Sequence, residues 1–138
     1  MYCKELIISK VTPVKFANYK NKHQIEREKR LKYLIDKLTF DKVIEVVNKY
    51  FGINEEQILS KSRKRDLVEA RQFTQYYLHK VLNYTCVKVG KITGNRDHAT
   101  VLHACDATKD LMRYESYNKI AGPALEELND YFNIDEKM

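Results

Sequence analysis

The sequence predicts an all-α fold, a helical bundle that contains a helix-turn-helix. Three observations predict it. Only four Gly and two Pro punctuate 138 residues, fewer turn residues than a sandwich or barrel of short strands needs, and the β-branched runs of an α/β fold are missing. Apolar residues make up 43% of the chain, enough to bury a core, so a charged fraction of 32% does not mean disorder. Apolar side chains also recur at helical steps through most of the chain.

The first such pattern, Gln24 to Leu38, places Ile25, Leu31, Leu34, Ile35 and Leu38 near helical spacing, with acids ahead of bases on the outer face. It reads as an amphipathic helix, preceded by Leu6-Ile7-Ile8 and Val11 to Phe16 around Pro13 as a short extended segment or a loop. Thr39 and Asp41 suit a second helix start, with Val43, Ile44, Val46, Val47, Tyr50 and Phe51 as its stripe and Gly52 as its stop. Asn54-Glu55-Glu56-Gln57 opens a short helix that ends near Leu59.

Asp66 opens the longest pattern, running to Asn83 through Leu67, Ala70, Phe73, Tyr77, Leu78, Val81 and Leu82. A segment Cys86 to Thr93, a turn at Gly94-Asn95 and a segment Asp97 to about Arg113 follow. The last carries Val101, Ala104, Cys105, Thr108, Leu111 and Met112 on one helical face. Two helices joined by a tight glycine-containing turn are the sequence form of a helix-turn-helix. An acidic helix around Pro123 to Phe132 closes the bundle. The expected organisation is an N-terminal extension, residues 1–38, and one main domain, residues 39–138.

Charge separates the two ends. The net charge is +6, but residues 1 to 65 carry a net +8 and the remainder a net −2, with the bases gathered in Lys20 to Lys37 and in Lys61-Ser62-Arg63-Lys64-Arg65. A local basic surface suits a polyanionic partner. No apolar run reaches a membrane span and Met1 to Val11 lacks the build of a secretion signal, so the expected location is cytoplasmic, away from membranes. Cys3, Cys86 and Cys105 are odd in number and far apart, as reduced, mostly buried thiols would be. The four histidines, His23, His79, His98 and His103, show no ligand spacing. With no nucleophile arrangement or nucleotide loop either, the expectation is a non-enzyme without metal, cofactor or nucleotide. Most of the ten tyrosines should be core or core-edge residues with wet hydroxyls.

If Asp97 to Arg113 is a recognition helix, its first residues meet base edges in a major groove. The Asp97 carboxylate can accept from a cytosine amino group, His98 can bond or pack on a base edge, and Ala99 can touch a thymine methyl, with Thr100 beside them. The alternative is that Asp97 only caps the helix by bonding the amides near Thr100. The run from Lys61 to Arg65 suits phosphates or a narrow, A·T-rich minor groove.

Gly94-Asn-Arg-Asp-His-Ala-Thr-Val-Leu-His-Ala104 closely resembles the signature of the C-terminal DNA-binding domain (domain IV) of the bacterial replication initiator DnaA. Leu59 to Arg65, Ala70-Arg-Gln72 and Val89-Gly90 fall in that family's order, and Thr39 to Phe51 resembles the helix that joins its ATPase module to its DNA-binding domain. The resemblance covers roughly residues 39 to 128.

It implies recognition of double-stranded DNA at a DnaA-box-like site, in replication initiation or transcription. By that resemblance Arg63 enters the minor groove, and Asp97 and His98 contact bases in the major groove. Thr100 and His103 make further base or phosphate contacts, and Arg65, Arg71 and Gln72 hold phosphates. Lys61 and Arg96 belong to the same expected phosphate set. Ala99 departs from the family's usual Thr, Asn95 from Gly, His79 from a phosphate-binding Lys, and Glu69-Ala70 from Arg-Pro. No G-x-x-x-x-G-K-[ST] loop occurs in the 138 residues. The competing expectation is an interaction module in which the amphipathic Gln24 to Leu38 helix docks a protein partner or a second copy of the chain.

Overall fold

In the computed structural model, which describes residues 20–134, Asn21 opens the first helix reciprocally. Its side chain accepts from the amide of Gln24 at 2.8 Å and its own amide donates to Gln24 Oε1 at 3.0 Å, the two halves of a capping box. Helix α1 (Lys22–Phe51) then runs for 30 residues. The two helices expected before and after Thr39 are thus one. Thr39 and Asp41 can cap a helix, but no Gly or Pro lies between Lys22 and Phe51 to break it, and each costs only about half a kcal/mol in a helix interior. Readings that fell on residues 1–19, Cys3 included, lie outside the described residues.

The chain divides between Leu38 and Thr39 into two units. In the first, Ile25, Leu31, Tyr33, Leu34, Ile35 and Leu38 are exposed. In the second, Phe40, Val43, Ile44, Val46 and Val47 of α1 are buried, and α1 stops where Gly52 takes φ +72°, a left-handed turn that glycine makes without a Cβ penalty.

Helix α2 (Glu55–Leu59) repeats the opening device of α1, since Asn54 and Gln57 form a second reciprocal capping box. Helix α3 (Arg65–Tyr76) is central. It packs on α2 and, most extensively, on α5, with Leu67, Ala70 and Phe73 buried. The pattern expected to stay helical to Asn83 instead widens into a π turn, Tyr77–Val81, where the Leu82 amide reaches the Tyr77 carbonyl at 3.1 Å. Asn83 ends it at φ 63°, a conformation that Asn tolerates. Tyr77 is fully buried, its ring stacks on Phe73 at 6.5 Å and its hydroxyl donates to Asn129 Oδ1 at 3.0 Å.

Helix α4 (Cys86–Ile92) is capped by Thr85, whose hydroxyl accepts from the amide of Lys88. Helix α5 (His98–Leu111) buries Val101, Ala104, Cys105 and Thr108, the face predicted from spacing. Helix α6 (Glu115–Tyr131) starts earlier than expected and holds Pro123 in its interior. Proline there costs about 3 kcal/mol. The burial of Tyr117, Ala121, Ala124, Leu125 and Leu128 along one stripe exceeds that, because a fully buried aliphatic side chain alone contributes about 1.5–3 kcal/mol.

The described residues hold helices and no strand, so the fold is all-α. Tyr76 and Tyr117 join Tyr77 in the core, Tyr114 and Tyr131 are exposed, and Cys86 and Cys105 are free thiols, half-buried and buried. The Tyr117 hydroxyl departs from the expected wet position, being buried without a hydrogen-bond partner. Burial pushes its pKa far up. No helix among the described residues is long and apolar enough to cross a membrane.

Candidate nucleic-acid interface

Two helices and a four-residue turn make the helix-turn-helix. At its centre Gly94 takes φ +106° and Asn95 φ 58°. Asn is the side chain that enters this region most readily after glycine, so the departure from glycine at 95 keeps the backbone conformation. Gly90, on α4, lets the chain fold back. The Arg96 amide donates to the Gly90 carbonyl at 2.7 Å, and a Cβ at 90 would overlap the Arg96 carbonyl.

The turn is anchored to α3 by a buried pair, as Gln75 Nε2 donates to Thr93 Oγ1 at 3.0 Å while that hydroxyl donates to the Val89 carbonyl at 2.7 Å. Gln75 is 1% exposed and Thr93 0%. Spacing alone did not single this pair out. The available signal was a Gln among apolar neighbours on the inner face of α3, a position where a polar side chain needs a partner.

The recognition helix presents the predicted residues outward. Asp97, His98, Ala99, Thr100 and His103 are all exposed. Asp97 is the N-cap residue by its backbone, which accepts from the amide of Thr100 at 3.1 Å, but its side chain makes no capping hydrogen bond. Oδ1 instead lies 2.9 Å from His98 Nδ1. The capping alternative therefore does not describe the side chain, because the carboxylate has turned to the neighbouring imidazole.

The basic loop between α2 and α3 is built by serine hydroxyls and by one arginine. Ser60 Oγ donates to the Gln57 carbonyl at 2.6 Å, and the amide of Lys64 donates to Ser62 Oγ at 3.3 Å, local bonds typical of serine in turns. Lys61, Arg63, Lys64 and Arg65 are exposed around this backbone. Arg65 lies 3.4 Å from Glu69, one helical turn on, a weak surface pair that leaves its charge available.

Arg71 differs from the expectation of a free phosphate-binding guanidinium. It is 7% exposed and gives its donors to three carbonyls of the loop, with Nε on Ile58 at 2.8 Å and Nη2 on Ser60 at 2.9 Å and Ser62 at 3.1 Å. Arg96 is occupied in the same way, Nη1 on the Thr93 carbonyl and Nη2 on that of Ser60 at 2.6 Å. Burial lowers both pKa values, for Arg71 with a further push from the charge of Arg96, yet guanidinium stays charged in proteins. The physical reason is that a loop of successive carbonyls without helix or strand partners must be satisfied, and a guanidinium fork satisfies several at once.

Gln72 is half-buried. His79, also half-buried, faces inward, with Nδ1 on the Tyr84 carbonyl at 2.7 Å and Nε2 3.3 Å from Cys86 Sγ. A carbonyl only accepts, so Nδ1 carries the proton. No group of three or more metal-ligand side chains occurs among the described residues.

Comparison with known proteins bears on this geometry. A family described as the bacterial DnaA protein helix-turn-helix matches residues 40–107. The chain is 44% identical over 72 residues to the chromosomal replication initiator protein DnaA of Bacteroides thetaiotaomicron, a match that covers 52% of this chain and 15% of the relative. It is 30% identical over 128 residues to the protein of the same name from Lachnoclostridium phytofermentans, covering 88% of this chain and 28% of the relative. Over 76 residues it is 37% identical to that of a Synechococcus strain, covering 55% and 16%. The chain thus spans 15% to 28% of the length of these three relatives.

Proposed function

From the membership of the helix-turn-helix segment, residues 40–107, in the bacterial DnaA family, we propose that this chain binds double-stranded DNA at a DnaA-box-like site, in control of replication initiation or transcription. The observation that carries the reading is the exposure of the four side chains from Asp97 to Thr100 on a helix whose preceding turn is tied to the basic loop. In this reading the first turn of α5 enters a major groove, where Asp97, His98, Ala99 and Thr100 read base edges. Arg63 reaches an adjacent A·T-rich minor groove, whose narrowness concentrates negative potential. Lys61, Arg65, Gln72 and His103 hold phosphates, which supply most of the affinity and none of the sequence choice. The 138 residues contain no phosphate-binding nucleotide loop, so the role proposed for them is binding without catalysis.

Fluorescence anisotropy with a DnaA-box duplex and a scrambled duplex across a salt series tests this. The expected result is a clear preference for the box and affinity that falls as salt rises. Arg63→Ala and His98→Ala should each weaken box binding by about 1 to 3 kcal/mol and relax the preference. Equal loss on both duplexes, with native circular dichroism, would overturn base reading by these residues.

A second reading rests on Ile25, Leu31, Leu34 and Leu38, which are 41% to 68% exposed on α1. An amphipathic face of this kind fits a protein partner or a second copy of the chain. Leu31→Glu and Leu34→Glu should then abolish any self-association seen by sedimentation while leaving DNA binding intact.

A further inference from the structure

The hydrogen bonds beneath the basic loop close into a frame. From α3, Arg71 holds the loop at the carbonyls of Ile58, Ser60 and Ser62, and Gln75, four residues on, holds the helix-turn-helix at Thr93. Arg96 joins the two held segments directly. It binds the carbonyl of Thr93 on the turn and, 36 residues away in sequence, the carbonyl of Ser60 on the loop. Ser60 thus accepts from two guanidinium groups, Arg71 at 2.9 Å and Arg96 at 2.6 Å. Room for this is made at Gly94, where a Cβ would overlap the Arg96 guanidinium and approach the Leu59 carbonyl to 2.9 Å.

We propose that Arg96 is a positioning residue that ties the basic loop to the recognition helix, so that the two groove contacts are made as one rigid unit. The proposal rests on the DNA-binding reading above. Arg96 immediately precedes Asp97, the N-cap of the recognition helix, and Ser60 lies three residues before Arg63, so one side chain fixes the offset between the two ends that read DNA. A link through a rigid fork sets distance more narrowly than two flexible basic side chains could. Pre-organisation of this kind raises affinity by removing ordering that binding would otherwise require.

Arg96→Gln, alone and with Arg63→Ala, decides the matter by anisotropy on a box duplex, a duplex altered at the A·T pairs read in the minor groove, and a scrambled duplex. As a positioning residue, Arg96→Gln lowers preference for the A·T pairs by the same factor as Arg63→Ala, roughly 5- to 150-fold. In the Arg63→Ala background it then changes neither affinity nor salt slope, which is strong coupling. A loss that is equal on all three duplexes, adds to that of Arg63→Ala and reduces the salt slope by about one overturns the proposal in favour of a simple phosphate contact. A lower melting point with discrimination retained overturns it in favour of a merely structural role.

Amide hydrogen exchange of Ser62 to Arg65 gives a readout free of DNA. Arg96→Lys keeps the charge but lacks the fork, and it serves if the glutamine variant does not fold. Faster exchange in that loop is expected, and unchanged exchange overturns the proposal. Failure of the unsubstituted protein to prefer the box overturns the DNA-box reading instead, and the exchange result still decides whether Arg96 holds the loop.

Discussion

The carboxylate of Asp97 lies 2.9 Å from Nδ1 of His98 on the exposed first turn of α5. A carboxylate oxygen only accepts, so the proton sits on Nδ1 and Nε2 is the atom left to face a partner. The pair orients the imidazole much as an outer carboxylate orients a histidine elsewhere in proteins. Asp97→Ala should therefore cost box binding about as much as His98→Ala, on the order of 1 to 3 kcal/mol. The double variant should lose less than the sum. Anisotropy on the four proteins measures the coupling, and full additivity would mean that the two side chains act separately.

Gly90 is required by contact. Its missing side chain leaves space for the Arg96 carbonyl, and the Arg96 amide bonds back to it at 2.7 Å. Gly90→Ala should destabilise the protein by about 1 to 3 kcal/mol, the usual range when a methyl is forced into packed backbone. Thermal melting reads this directly. An unchanged melting point would show that the turn can move aside.

Glu127 joins α6 to α1 through Lys49 Nζ at 2.7 Å and the Tyr50 hydroxyl at 2.8 Å. Lys49 first, and then Tyr50, holds the carboxyl below its ordinary 4.5, while Glu127 raises the ammonium above 10.5. The depressed acid stabilises the fold above pH 4.5 and ceases to as pH falls through its lowered value. The raised base stabilises below pH 10.5 and ceases to as pH rises through its raised value. Glu127→Gln should thus melt lower than the unsubstituted protein at neutral pH, with the gap closing in strong acid and in strong base. A gap independent of pH would assign the effect to packing.

The two described cysteines should react at different rates. Burial pushes the Cys105 thiol up to about 11, whereas Cys86 is half-buried at the start of α4. Only the thiolate is alkylated efficiently. Peptide mapping after brief iodoacetamide treatment at pH 8 should find Cys86 modified and Cys105 untouched until denaturant is added. Equal labelling would show that the buried face of α5 opens readily.

The face of α5 was legible because Val101, Ala104, Cys105 and Thr108 repeat at helical steps and polar residues fill the gaps. The turn was legible from Gly94-Asn95, whose chemistry suits the two positive φ angles found there. Thr39 misled because a capping residue marks a helix start only where the chain also breaks, and α1 has no breaker. Pro123 misled in the opposite sense, since a buried stripe on either side of it outweighs one lost hydrogen bond. Arg71 and Arg96 carried the same chemistry as Arg63 in sequence. Their partners are main-chain carbonyls, which every residue possesses, so nothing in the residue types distinguished a clamp from a free cation.

The π turn at Tyr77–Val81 makes this part of the chain sensitive to counting. It holds one more residue per turn than the helix before it, and Tyr76, Tyr77 and Leu78 are all buried in succession because the wider turn spreads them over the core. Removing any one residue there would restore the ordinary helical winding and rotate the rest of the segment by about 100°, swinging His79 off the Tyr84 carbonyl that now holds it. In this stretch a change in the number of residues acts more strongly than a change in their kind.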